Sequence, residues 1–137
     1  MQLGPAAVAG TTRPREVVER YVGEVLNRTP PADVRSVISD PSFAQRVTRL
    51  RTAFPDLQVE THALIAEGDL VAGRFTGRGT HLGLFQGVPP TGNAWSAQCT
   101  AIYRVEADRI AEAWVNWDLL SMLEQLGAIE RAHTASA

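Results

Sequence analysis

The chain has a single cysteine, Cys99, so no internal disulfide can form, which fits a reducing cytoplasm. It has no run of Lys and Arg. Thirteen basic residues, arginines scattered along the chain, face fifteen acidic ones for a net charge of −2. With a pI near 5.9, that excludes the basic face by which a nucleic-acid binder is recognised. No segment approaches the roughly 20 apolar residues that span a membrane. The N-terminal stretch also lacks the basic start and long apolar run of a secretory leader. These absences predict a soluble, cytoplasmic protein whose partners are small molecules or copies of the same chain.

Metal and cofactor signatures are missing too. The three histidines, His62, His81 and His133, are too dispersed for ligand spacing, so no metal is expected. The glycines at 77, 79, 83 and 87 do not follow the dinucleotide fingerprint, and no helix begins after them. There is no Ser-centred elbow, and Cys99 sits in mid-strand without a His nearby in sequence.

What is present is the composition of one globular domain. The 137 residues are 45% hydrophobic and 20% charged, enough to build a core with room for a cavity. A single domain over 1–137 is expected, with a core of about 13–130 and small, polar ends that fray.

The hydrophobic period divides the chain in two. Pro14 suits a first helical turn, and Val17, Val18, Tyr21, Val22 and Val25 follow at helical spacing until Thr29-Pro30-Pro31. A short helix is expected over Asp33 to Ile38. Asp40 then reads as an N-cap with Pro41 at the first position, ahead of a stripe of Phe43, Val47, Leu50 and Phe54 that Pro55 stops.

From Leu57 the period becomes 2. Leu57, Val59, Thr61, Ala63 and Ile65 predict one face of a half-buried strand, with His62 on the other, exposed face. Glu67-Gly68-Asp69 predicts a turn, Leu70 to Thr76 a second strand, and the glycine-rich Gly77 to Gly92 a long loop. Ala94 to Glu106 and Arg109 to Trp117 predict a hairpin through Ala107-Asp108. Asp118 opens a last helix with apolar Leu119, Leu120, Met122, Leu123 and Leu126, ended by Gly127. Helices followed by hairpin-linked strands indicate an α+β fold.

The second half of the chain resembles the SnoaL-like polyketide cyclases, within the nuclear-transport-factor-2-like superfamily. The resemblance rests on Phe54-Pro55-Asp56-Leu57, Ala66-Glu67-Gly68-Asp69-Leu70-Val71, Gly79-Thr80-His81-Leu82-Gly83, Phe85, Gly87 and Pro90-Thr91-Gly92. It continues through Tyr103-Arg104-Val105, Ile110-Ala111-Glu112-Ala113-Trp114, Asp118 and Gln125-Leu126-Gly127. It implies a cone-shaped α+β barrel, a curved mixed or antiparallel sheet packed with three N-terminal helices and a C-terminal helix. It further implies a homodimer through the sheet and cofactor-free chemistry on a small, hydrophobic, polyketide-like substrate, typically an intramolecular aldol closure. The segment between Leu26 and Phe43 departs from the family in being short, with Val37-Ile38-Ser39-Asp40 where a longer, His-bearing stretch is common.

The candidate site follows from both readings. Asp118 lies where the last strand becomes the last helix, and simple alternation puts 110, 114 and 118 on one apolar face. A carboxylate desolvated there is a stronger base; as the residue before a helix it is equally a cap. The resemblance assigns it the acid/base role. His81, in the loop, is a candidate donor to a developing alkoxide, or a histidine bonded to backbone. Trp95, Trp114 and Trp117 are candidate pocket walls, Asn116 a holder of an enolate oxygen, and Tyr21 a contact from the first helix; the tryptophans and Tyr21 are alternatively core. Arg74 is a candidate only if a carboxylate partners it, as in epoxide-opening members of the superfamily, and none follows two positions later. The leading expectation is a cyclase of polyketide or related secondary metabolism. Epoxide-opening or isomerising chemistry, and a non-catalytic ligand-binding or dimer-partner module, are the alternatives.

Overall fold

The structure, a computed structural model, describes residues 13–130. His133 and the chain ends expected to fray lie outside the described residues. Residues 13–26 form the first helix, α1, whose second half widens into a π-helical stretch, Tyr21–Leu26. Its Val17, Val18, Tyr21, Val22, Val25 and Leu26 are all buried. Helix α2 is Pro41–Ala53; Asp40 caps it by accepting from the Phe43 N–H at 3.2 Å, and Pro41 occupies its first turn.

Four strands follow: β1, Gln58–Glu67; β2, Leu70–Thr80; β3, Ala94–Glu106; β4, Arg109–Trp117. They form one antiparallel sheet in the order β1-β2-β3-β4, each joined to the next in sequence. Gly68, at φ 60°, makes the first turn, and Ala107 and Asp108, at 51° and 63°, make the tight turn between β3 and β4. Helix α3, Leu119–Gln125, returns against β3, where the Gln125 side chain donates to Ser96 O and accepts from Ser96 N, both at 2.8 Å.

Three expectations need correction. The helix expected over Asp33 to Ile38 is a single 3-10 turn, Val34–Ser36. The residues after it turn to the sheet: Ser39 N donates to Ile110 O (2.9 Å) and Ile110 N to Val37 O (2.7 Å), so Ile38 pairs in parallel with the outer edge of β4. This covers part of an edge that would otherwise present unpaired backbone groups. Second, β2 does not stop at Thr76 but runs through Gly77 and Gly79 to Thr80. Its glycines are there because aromatic rings cover them: a Cβ on Gly77 would stand 2.6 Å from the Trp117 ring, and one on Gly79 3.3 Å from Trp95 Nε1.

The third correction concerns which side chains face inward. β1 carries a bulge at His62, between the pairs Thr61↔Phe75 and Ala63↔Arg74. β4 carries one at Ala111, between Val105↔Ile110 and Arg104↔Glu112. Each extra residue inverts the alternation beyond it. Leu64 therefore turns into the core and Ile65 out, 69% exposed. On β4, Ile110 is buried with Val105, yet Trp114 points away from the core and is 50% exposed. The inner face of the sheet carries Val59, Leu64, Val71, Phe75, Trp95, Ala97, Cys99, Ala101, Tyr103, Val105 and Ile110 against α1 and α2. The outer face has no layer over it among the described residues.

Candidate functional site

A cavity of about 870 Å³ lies between α1, α2, the inner face of the sheet and the 81–93 loop. A volume of that order accommodates a drug-sized ligand. Its walls are Val22, Leu26, Phe43, Val47, Leu50, Val59, Phe75, Val115 and Trp117, with Leu84, Phe85 and Leu119 toward the rim. The loop reaches the rim because of local geometry. Leu82 N and Gly83 N both donate to Ala53 O at 3.0 Å, docking the loop on the end of α2. A Cβ on Gly83 would collide with the Thr52 carbonyl, so only glycine permits this approach. The tip then reverses at Gln86 and Gly87, φ 50° and 78°, closed by Val88 N donating to Phe85 O at 2.7 Å.

The polar groups inside are few. Tyr21 from α1 and Tyr103 and Cys99 from β3 line the cavity, with Arg46, Arg49, Gln86 and Asn116 at its exposed rim. Tyr21, Phe43 and Tyr103 form an aromatic cluster, with ring centroids 5.7 Å apart for Tyr21–Phe43 and Tyr21–Tyr103 and 6.2 Å for Phe43–Tyr103. Burial pushes both phenols well above the ordinary tyrosine range, and the Cys99 thiol up to about 12. All three are protonated at neutral pH. None of the described residues lining the cavity is Asp, Glu or His.

The residues expected from the sequence divide accordingly. Tyr21 and Trp117 line the cavity, whereas Asn116, exposed and paired with Thr100 of the outer face, reaches only its rim. Asp118 does not; it is exposed, between the lining residues Trp117 and Leu119, and accepts from Ser121 N at 3.1 Å as the N-cap of α3. The apolar face expected to join 110, 114 and 118 is broken by the bulge at Ala111. Trp114 and Arg74 both stand on the outer face, exposed, and Arg74 has no carboxylate partner among the described residues.

His81 and Trp95 sit behind the cavity wall. His81 is fully buried, flanked by Phe54 and Phe85, with ring centroids 5.9 and 6.5 Å away. Its Nδ1 accepts from Thr91 N at 3.2 Å and lies 2.9 Å from Thr91 Oγ1. Its backbone closes the same loop, His81 N donating to Asn93 O at 3.0 Å and its carbonyl accepting from Gly92 N at 2.9 Å. The imidazole thus ties together the two ends of the loop whose tip forms the rim. Trp95 packs edge-on to Trp117 at 5.8 Å and backs the wall that Trp117 forms. His62 is exposed, 2.7 Å from Thr76 Oγ1.

Tyr103 and Cys99 also line the cavity, and the sequence reading does not name them as site residues. The signal for them was the unbroken alternation of β3, in which Trp95, Ala97, Cys99, Ala101, Tyr103 and Val105 all point inward. Among the described residues, no three His, Cys, Asp or Glu side chains come together as a metal-binding group, and no helix is long and apolar enough to cross a membrane.

A curved antiparallel sheet carries α1 and α2 over one face, with the cavity between them. The sequence matches the SnoaL-like polyketide cyclases over residues 4–126, nearly its whole length. The chain belongs to that family. A SnoaL-like protein from Jannaschia sp. CCS1, a proposed polyketide cyclase, superposes with a TM-score of 0.75 at 20% identity over 88% of this chain and 95% of the other. That likeness establishes the shared fold. Two others are more similar in sequence. AclR from Streptomyces galilaeus, a proposed hydroxylase, is 31% identical over 72% of this chain and 63% of its own, TM-score 0.60. IdmH from Streptomyces antibioticus, a proposed polyketide cyclase, is 38% identical over 62% and 61%, TM-score 0.52. No curated protein matches the sequence. As a SnoaL-like protein the chain is of the cyclase kind, and small polyketide-like molecules are the family's substrates.

Proposed function

We propose that the protein is a cofactor-free enzyme that closes a ring in a small polyketide-like molecule by an intramolecular aldol reaction, with Asp118 as acid and base. The observation that carries this reading is the position of Asp118 between Trp117 and Leu119, both of which line the 870 Å³ cavity. A substrate filling the cavity then meets the carboxylate at the rim. Asp118 removes the acidic proton between two carbonyls, the carbanion attacks an internal carbonyl carbon, and the protonated Asp118 returns the proton to the new alkoxide. The substrate's own carbonyls spread the negative charge, which is why the step needs no electron sink. The test is turnover by Asp118→Asn on a panel of β-dicarbonyl polyketide mimics. Asn retains the helix cap, so a folded variant with full activity would sink the proposal.

A second reading is supported by a different observation: no acid or histidine among the described residues lines the cavity itself. On this reading the protein binds a small apolar ligand without transforming it. Tight binding of the panel with no new carbon–carbon bond in any product would favour it.

The outer face of the sheet supports a homodimer. Ile65, Ala72, Ile102 and Trp114 are register partners across all four strands, a continuous apolar row on the outer face. A second copy laid on that row would remove it from water.

A further inference from the structure

We infer that Tyr21 and Tyr103 form a paired donor subsite that holds one oxygen of the ligand, the oxygen that carries negative charge when a carbonyl compound is enolised. The inference rests on the cavity being a small-molecule site, as proposed above, and does not depend on which residue moves the proton.

The two phenols come from distant parts of the chain, α1 and β3, and meet with ring centroids 5.7 Å apart. Both side chains are nearly enclosed, 4% and 3% exposed, and both line the cavity. Neither hydroxyl has a hydrogen-bond partner among the described residues. A tyrosine whose ring is enclosed ordinarily bonds its hydroxyl to a protein group or to water; here neither hydroxyl is among the fully buried unpartnered atoms, and both residues line the cavity. Two such groups side by side, opening on the same cavity, are arranged for an oxygen that arrives with the ligand.

Their chemistry fits a negative oxygen. The phenols stay protonated at any physiological pH, so both donate. The Arg46 guanidinium stands 5.4 Å from the Phe43 ring, an exposed cation at the rim of the cavity. The third ionisable neighbour, Cys99, is a neutral thiol. No Asp or Glu lines the cavity to oppose an anion. Prepositioned donors of this kind bind an enolate more tightly than the ketone from which it forms. The ligand class is therefore an apolar ring system with an enolisable carbonyl or an acidic phenol.

The probe is 4-nitro-1-naphthol, which is coloured only as the anion, titrated free and bound to the full chain. The expected result is a bound probe that titrates about one pH unit below the free one. Tyr21→Phe and Tyr103→Phe should each reverse most of that displacement while leaving naphthalene affinity within about twofold, which also shows that the cavity is intact. A bound probe that titrates at or above the free value in the wild type overturns the inference whatever the variants do. So does a pair of folded Phe variants indistinguishable from wild type; if one variant fails to fold, the other decides. Loss of turnover in Asp118→Asn, with Tyr variants that do not move the probe, would retain the proposed function and reject this subsite; the opposite pattern would do the reverse.

Discussion

Ile110 and Trp114, four residues apart on β4, lie on opposite faces of the sheet. The bulge at Ala111 separates them, leaving Ile110 beneath α1 and α2 and Trp114 opposite Ile102 in the open. A large indole at half exposure, set in a row with Ile65, Ala72 and Ile102, is apolar surface of the kind that association covers. Trp114→Glu should convert a dimer to a monomer in light scattering at micromolar concentration. Because the side chain is outside the monomer core, the isolated fold should change by no more than about 0.5 kcal/mol. A wild-type protein that is already monomeric would remove the homodimer from the proposal.

Asp118 combines two roles that a pair of variants can separate. Its Oδ1 accepts from Ser121 N, satisfying one N–H of the first turn of α3. Asp118→Asn keeps that acceptor and removes the ionisable oxygen. It should leave the melting temperature near wild type and lower turnover by a factor of about 10² to 10⁴. Asp118→Ala should lower turnover equally and cost about 1 kcal/mol in addition. Equal stability loss in both variants would mean that the charge of Asp118, rather than its acceptor, holds α3.

Much of this was legible because it is local. Asp40 before Pro41, Asp118 before Leu119 and Ala107-Asp108 between two alternating runs are short-range signals, and the structure has each where expected. The bulges were not legible. His62 and Ala111 are ordinary strand residues, with no glycine or proline to mark them, and each inverts everything beyond it. Simple alternation therefore puts Ile65 and Trp114 on the wrong face. The glycines of β2 misled for another reason: their room is filled by Trp95 and Trp117, residues distant in sequence. The tyrosine pair depends on α1 packing across β3, a contact that no local pattern encodes.

High pH should loosen the fold. The Cys99 thiol and the two phenols have folded pKa values raised by burial above 9.0 and 10.0, their ordinary values. Below those values both folded and unfolded chains hold the protons, and stability is unaffected. Above about pH 9 the unfolded chain loses them first, so stability falls as pH rises toward the folded values. The melting temperature should hold through pH 8.5 and decline from pH 9 to 11. Tyr21→Phe combined with Tyr103→Phe should flatten the part of the decline above pH 10. An unchanged alkaline slope in that double variant would show that the phenols are not buried in solution.

Two glycine substitutions should act in opposite directions. Gly77 lies in mid-strand under Trp117, and an added Cβ would stand 2.6 Å from that ring and 3.4 Å from Trp95. Trp117 forms part of the cavity wall, so Gly77→Ala must displace it, at a cost of about 1 to 3 kcal/mol. The same displacement should weaken the binding of naphthalene and alter tryptophan emission. Gly23 is in the helical part of the chain, with nothing within 4 Å of an added Cβ. Gly23→Ala removes unfolded-chain freedom without a clash and should stabilise by about 0.5 to 1 kcal/mol. Urea unfolding of the two variants measures both signs. A neutral Gly77→Ala would mean that Trp117 moves freely, and the cavity wall it provides would then be soft rather than fixed.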